Sequence, residues 1–162
     1  MTHLEHLALI QAQAHSRHWE KPTPDDWANV LATFPLFTGI SKRRLRKLAR
    51  SATVAEYARG ETIILTGDRD NVLHVILDGE AKAISRPAAR ALRTGDYFGE
   101  VALLDGRPRS ATVVATSDVH ALKLPAHSVL RLAQDKPVIT LTMFKHLATQ
   151  LRNIETQTAR AT

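Results

Sequence analysis

All seven glycines of this chain lie between Gly39 and Gly106, and the flanks carry none. Glycine marks the places where a chain must turn sharply, so the middle of the sequence is the part built from turns. From Ala52 to Leu124, short apolar runs alternate with turn signals: Arg59-Gly60, Thr66-Gly67-Asp68, Asp78-Gly79, Arg86-Pro87, Thr94-Gly95-Asp96, Asp105-Gly106 and Ser117-Asp118. Many short strands at this spacing predict an all-β roll or barrel. The flanks read as helices. Residues 2–17 place Leu4, Leu7 and Ala8 on one side at helical spacing, and Lys21-Pro22-Thr23-Pro24 breaks the run. Asp25 or Thr23 suits the cap of a second helix through Leu31. Ser41 suits that of a third, with Leu45, Leu48 and Ala49 facing inward. Pro125 and Pro137 fit the first turns of two closing helices. The expected class is α+β, an antiparallel β-roll flanked by N-terminal and C-terminal helices.

Several function classes drop out on composition. With 162 residues, 44% of them hydrophobic, the chain suits one domain with a real core. It has no cysteine, which removes disulfide frameworks and thiolate metal sites. No apolar run approaches the roughly 18 residues of a membrane span. The first ten residues hold no Lys or Arg, and Glu5 interrupts them, unlike a signal peptide. Ala12-Gln13-Ala14 only mimics a cleavage site, and the cytoplasm is the expected compartment. His3 with His6, and His15 with His18, share a spacing that suits a metal but lack acidic or thiolate companions, so no metal is expected. Asp25 and Asp26 are neighbours on one helix and point apart, which capping explains. No Ser-His-Asp arrangement, P-loop or metal cage is readable, and an enzyme is not expected.

The chemistry concentrates in Phe98-Gly99-Glu100-Val101-Ala102-Leu103-Leu104-Asp105-Gly106-Arg107-Pro108-Arg109-Ser110-Ala111-Thr112-Val113. Gly99 lets a backbone approach a ligand without a Cβ in the way. A short helix over residues 100–104 would leave its first N–H groups free, which favours a phosphate. Arg109, read as standing at the head of an apolar strand, adds a charge-assisted bond to the same anion. A buried guanidinium without a partner is costly, so such a residue wants an anion. Glu100 would repel a phosphate, and it makes sense as the acceptor of a sugar hydroxyl. An anion and a ribose hydroxyl in one cassette describe a nucleotide.

This cassette resembles the phosphate-binding cassette of the cyclic nucleotide-binding domain, the module of catabolite activator protein, protein kinase A regulatory subunits and cyclic-nucleotide-gated channels. The likeness extends from about Phe34 to about Ile154. It takes in Pro35-Leu36-Phe37, Gly60-Glu61-Thr62-Ile63-Ile64, Leu73-His74-Val75-Ile76-Leu77-Asp78-Gly79-Glu80 and Gly95-Asp96. The resemblance implies that Glu100 holds the ribose 2′-hydroxyl, that Arg109 and Ser110 hold the cyclic phosphate, and that the peptide groups of Gly99, Val101, Ala102 and Ala111 surround it. It places Ala83 and Leu92 at the purine, with plain core as the equal alternative, and Asn153 or Ile154 at the lid on the last helix. Cyclic AMP is favoured over cyclic GMP, although the Ser110 hydroxyl can also help hold a syn guanine. The implied organisation is a helical extension over 1–33, a cyclic nucleotide-binding domain with its lid helix over 34–158, and a tail over 159–162.

The expected role is a stand-alone cyclic-nucleotide sensor, cytoplasmic and regulatory, that changes conformation and signals to a protein partner. No helix-turn-helix module, kinase, channel or cyclase segment is readable, and Met1 favours a complete chain over a piece of a longer receptor. The competing class is a non-sensing interaction protein on the same fold. It would dock nucleic acid through Lys42-Arg43-Arg44-Leu45-Arg46-Lys47 and Arg50, six basic residues in nine that supply much of the formal charge of +6. Leu45 and Leu48 mark the buried side of that helix, so the favoured reading is a solvated cationic face. On the closing helix, expected over 137–157, Phe144, Leu147, Leu151 and Ile154 follow a 3-4-3 spacing that Thr140 and Thr158 extend. Such a seam could form a homodimer with another copy, or pack only on the β-roll.

Overall fold

A computed structural model describes residues 22–160 apart from Pro87. The helix expected over residues 2–17 and the pairs His3/His6 and His15/His18 lie outside the described residues.

Thr23 starts the first described helix, α1 (Pro24–Ala32), through a capping box. Its hydroxyl accepts the Asp26 N–H, and the Asp26 carboxylate accepts the Thr23 N–H. Between the two candidate caps, Thr23 is therefore the one used, and Asp25 instead pairs with Arg46. A 3-10 turn at Pro35–Phe37 leads to α2 (Lys42–Ala49). Ser41 stands at the N-cap of α2 with extended backbone but makes no side-chain capping bond.

Eight strands follow: β1 (Thr53–Tyr57), β2 (Thr62–Ile64), β3 (Val72–Asp78), β4 (Glu80–Ser85), β5 (Ala88–Arg93), β6 (Tyr97–Phe98), β7 (Thr112–Ala115) and β8 (Val119–Pro125). A short helix, α3 (Glu100–Asp105), is inserted between β6 and β7. The helices α4 (Ala126–Asp135) and α5 (Val138–Arg160) close the chain. Pro125 caps α4, and Pro137 directly precedes α5, which runs past residue 158 to Arg160.

The strands form two antiparallel four-stranded sheets, ordered β1-β8-β3-β6 and β2-β7-β4-β5. With the helices at both ends this is the expected α+β roll. Side chains alternate across a strand, and here the alternation feeds two cores. On β3, Leu73, Val75 and Leu77 face the helices, while Ile76 faces the interior of the roll. On β8, Leu122 and Leu124 join the first set, and Val119 and Ala121 the second. The larger core takes in Trp27, Val30 and Leu31 of α1, Leu45 and Leu48 of α2, and Ile139 and Met143 of α5. The inner face of α1 thus packs on the same core as α2 and α5. The interior core, with Ile64, Ile76, Leu92, Phe98 and Val113, forms the floor beneath the cassette.

Candidate functional site

At the end of β6 the chain turns through Gly99 into α3 with a φ of +94°. A Cβ on Gly99 would lie 2.3 Å from Arg109 Nη1 and 2.9 Å from the Val72 carbonyl oxygen. Positive φ and this close approach both require glycine.

Arg109 lies in the turn ahead of β7, three residues short of Thr112, not at the head of the strand. Its backbone is clamped on both sides. Its N–H donates to Asp68 O at 2.8 Å, and its carbonyl accepts the Gly67 N–H at 2.9 Å. The side chain is 3% exposed. Nη1 donates to the Gly99 carbonyl at 3.1 Å, Nη2 donates to the Val72 carbonyl at 2.6 Å, and Nε pairs with Asp70 Oδ1. The anion that a buried guanidinium wants is thus already present within the fold. Asp70 already supplies the carboxylate that makes burial affordable, and two of the five N–H donors remain uncommitted. Burial pushes the Asp70 carboxyl up, but its hydrogen bond to Arg109 and the guanidinium charge outweigh that and hold it below the usual range. Beneath them His74 is buried and stacked on Phe98, with ring centroids 4.8 Å apart and planes within 5°. Desolvation, with the nearby Arg109 charge adding to it, lowers His74 to about 3, so it is neutral at pH 7.

Glu100 is also 3% exposed and opens α3. Its Oε1 accepts a hydrogen bond from Gln150 Nε2 of α5 at 3.3 Å, and His146 Nε2 stands 4.0 Å from the same oxygen. Desolvation lowers the His146 pKa by more than Glu100 raises it, so this contact joins a neutral imidazole to a carboxylate and is not an ion pair. The His146 ring lies against Tyr97, with centroids 4.8 Å apart. Burial, followed by the Glu100 charge, raises the Tyr97 phenol. Tyr97 Oη and His146 Nε2 are both buried and have no hydrogen-bond partner among the described residues.

A cavity of about 380 Å³ joins Glu100, Gln150 and Arg109, within the size range of small-molecule sites, about 300–1,000 Å³. Gly99, Glu100, Val101, Ala102, Arg109, Ser110 and Ala111 all line it. Ala83 of β4 forms part of the opposite wall, and Asn153 and Ile154 of α5 overhang it. Leu92 does not reach it. In the β4–β5 pairing Leu92 sits across from Ala81, two pairs along from Ala83 and Arg90, and is fully buried in the interior core. Arg90, Gln150, Gln157 and the Asp70–Arg109 pair were not singled out by the sequence. Gln150 and Gln157 had a legible signal, because they lie one helical turn either side of Asn153 and Ile154. Asp70 had none, since only tertiary packing brings it to Arg109.

On α5, Ile139 and Met143 pack into the core. Of the expected seam, Phe144, Leu151 and Ile154 are exposed, and Leu147 is half-buried. The seam is therefore not spent on the β-roll. Among the described residues no group of three or more His, Cys, Asp or Glu could hold a metal ion, and no helix is long and apolar enough to cross a membrane.

Residues 54–136 match the cyclic nucleotide-binding domain. The chain is 35% identical over 105 residues to the cAMP-dependent protein kinase regulatory subunit of Aspergillus niger, covering 63% of this chain and 26% of that protein. It thus spans about a quarter of the length of that relative. Among solved structures, the regulatory domain of Toxoplasma gondii PKA with cAMP superposes with a TM-score of 0.70 at 23% identity, over 77% of this chain and 50% of that one. The Thermus thermophilus catabolite activator protein gives a TM-score of 0.62 at 27% identity, over 76% and 61%. From its cassette, its two-sheet roll and these likenesses, the chain belongs to the cyclic nucleotide-binding domain family.

Proposed function

We propose that this chain is a cyclic-nucleotide sensor that binds cyclic AMP in preference to cyclic GMP and passes the binding event on through α5. It performs no catalysis of its own. The observation that carries this reading is the meeting of buried Glu100 and buried Arg109 in one cavity over which α5 closes. The two free N–H donors of Arg109, the Ser110 hydroxyl and the neighbouring peptide groups take the cyclic phosphate. Glu100 takes the ribose hydroxyl, and Ala83 with Asn153 and Ile154 encloses the base. The likeness to the cAMP-dependent protein kinase regulatory subunit of Aspergillus niger supports cyclic AMP as the ligand class.

The same geometry supplies a switch. Gln150 of α5 donates to the same Glu100 carboxylate that would accept the ribose hydroxyl, so ligand binding and the position of α5 are coupled through that one group. A ligand moves such an equilibrium by its differential affinity for the two states. The signal then leaves α5 through its exposed apolar seam, to a protein effector or to a second copy of the chain. The ligand-binding domain extends over 34–158, and the chain works in the cytoplasm. Isothermal titration with cyclic AMP and cyclic GMP is the direct test. Saturable heat with cyclic AMP, tighter than with cyclic GMP, is expected; no heat and no thermal stabilisation at millimolar cyclic AMP would refute the reading.

A further inference from the structure

A second groove lies between α2 and α4, on residues that the nucleotide site does not use, and has a volume of about 890 Å³. Its walls are tied at two points. Ser51 Oγ and Ser128 Oγ are 3.0 Å apart, and Arg44 Nη1 donates to Asp135 Oδ2 at 2.8 Å. Along one face of α2, Arg43, Lys47 and Arg50 follow at i, i+4 and i+7, a row spanning about 10 Å of helix axis. All three are exposed, and Arg131 of α4 is exposed on the other wall. Among the described residues these four cations have no carboxylate within ion-pair distance. Among the described residues Asp135 is the single carboxylate lining the groove, and Arg44 holds it.

We infer that this groove docks an acidic protein segment that lays carboxylates along the Arg43–Lys47–Arg50 row. The remaining arginines of α2 already show the recognition, since Arg44 takes a carboxylate from α4 and Arg46 takes one from α1. Three of the four free cations are arginines, whose planar forks match carboxylates. Nucleic acid fits less well, because no Phe, Tyr or Trp lines the groove and bases would find no stacking platform. A bilayer fits less well too. The surface is concave, and its apolar lining residues, Leu48 and Leu132, are buried and cannot anchor in lipid. Held by its two ties, the groove needs little ordering when a segment binds.

The test uses the full chain and a fluorescein-labelled oligoglutamate peptide, read by fluorescence anisotropy in about 0.1 M salt, where charges more than about 10 Å apart are screened. Single-stranded and duplex DNA of matched charge and phosphatidylserine vesicles are measured alongside. Saturable binding of oligoglutamate, weakened about tenfold or more by the triple variant R43E/K47E/R50E and also by R131E, is the expected result. The control K82E/R93E/K145E, with the same change of net charge elsewhere, should retain wild-type affinity. All variants should titrate cyclic AMP as the wild type does, so failure here is distinguishable from failure of the sensor reading. Absent binding, equal losses in the control, or tighter binding of DNA or vesicles than of oligoglutamate would overturn the proposal.

Discussion

Arg109 and Glu100 are both buried charges, but they meet their ligands on unequal terms. In the proposed complex Arg109 would face a formal anion with a fork already oriented by Asp70, Gly99 and Val72, whereas Glu100 would accept from a neutral hydroxyl. A hydrogen bond to a charged group is worth about 1.5–3 kcal/mol, so Arg109→Ala should weaken cyclic AMP binding by about tenfold to more than a hundredfold. Arg109→Lys keeps the charge and loses the fork, and should fall between the two. Glu100→Ala should cost less than Arg109→Ala, because it also removes a carboxylate near the phosphate. A titration series in which the Glu100 variant loses as much, or more, would reverse the roles assigned here. Gly99→Ala tests the backbone instead. Positive φ and a Cβ 2.3 Å from Arg109 Nη1 should cost at least about 1–2 kcal/mol of stability, measured by urea unfolding.

Among the elements, α5 is the one that the proposed switch would move. It is anchored near its start by Ile139 and Met143, and it touches the cassette through Gln150. From Leu151 to Arg160 every residue is exposed. Few buried contacts make the distal part the easier one to move. Hydrogen exchange over residues 138–160 should therefore change when cyclic AMP saturates the protein. Unchanged protection at saturation would mean that the signal leaves by another element. Gln150→Ala removes the amide that competes with the ribose hydroxyl for the Glu100 carboxylate, so it should tighten cyclic AMP binding by about threefold to fivefold. Weaker binding would instead make Gln150 a ligand contact.

For the whole molecule, pH and self-association are the informative variables. His74 is neutral in the fold and titrates near its ordinary value of about 6.5 when unfolded. Below that value the unfolded chain takes up a proton that the folded chain refuses. Stability is thus fully present above about pH 6.5 and is lost as pH falls toward about 3, by up to about 1.4 kcal/mol per pH unit. Asp70, held low by Arg109, adds loss in the same direction once pH falls through its own range. Urea unfolding at pH 7 and pH 4.5 should differ by roughly 2–3 kcal/mol, and His74→Leu should remove most of the difference. An unaltered pH slope in that variant would exclude His74 as its source. The seam of Phe144, Leu151 and Ile154 predicts a dimer in sedimentation equilibrium that Leu151→Lys converts to monomer. A monomeric wild type would leave the seam to an effector.

Much of this was legible because it is local. Whether a turn tolerates positive φ, whether apolar residues alternate, and whether a threonine can cap a helix all depend on residues within a few positions. The strands between turn signals, the Gly99–Glu100 helix start and the inward Leu45, Leu48 and Ala49 could accordingly be read from the chain. The Glu100–Arg109 cassette was legible for the same reason, since its two charged residues stand within one short run. Partnerships across the fold were not. Asp70 reaches Arg109 over 39 residues, and Gln150 reaches Glu100 over 50, through strand pairings and helix packing that no short window contains. Leu92 illustrates the limit: its face could be guessed, but its depth was set by pairing with Ala81. The sequence by itself determined the turns, the strand alternation and the helix start at the cassette, because these are short-range physics. Only the tertiary structure decided what each buried charge is paired with, because that depends on register and on which distant segment packing brings alongside.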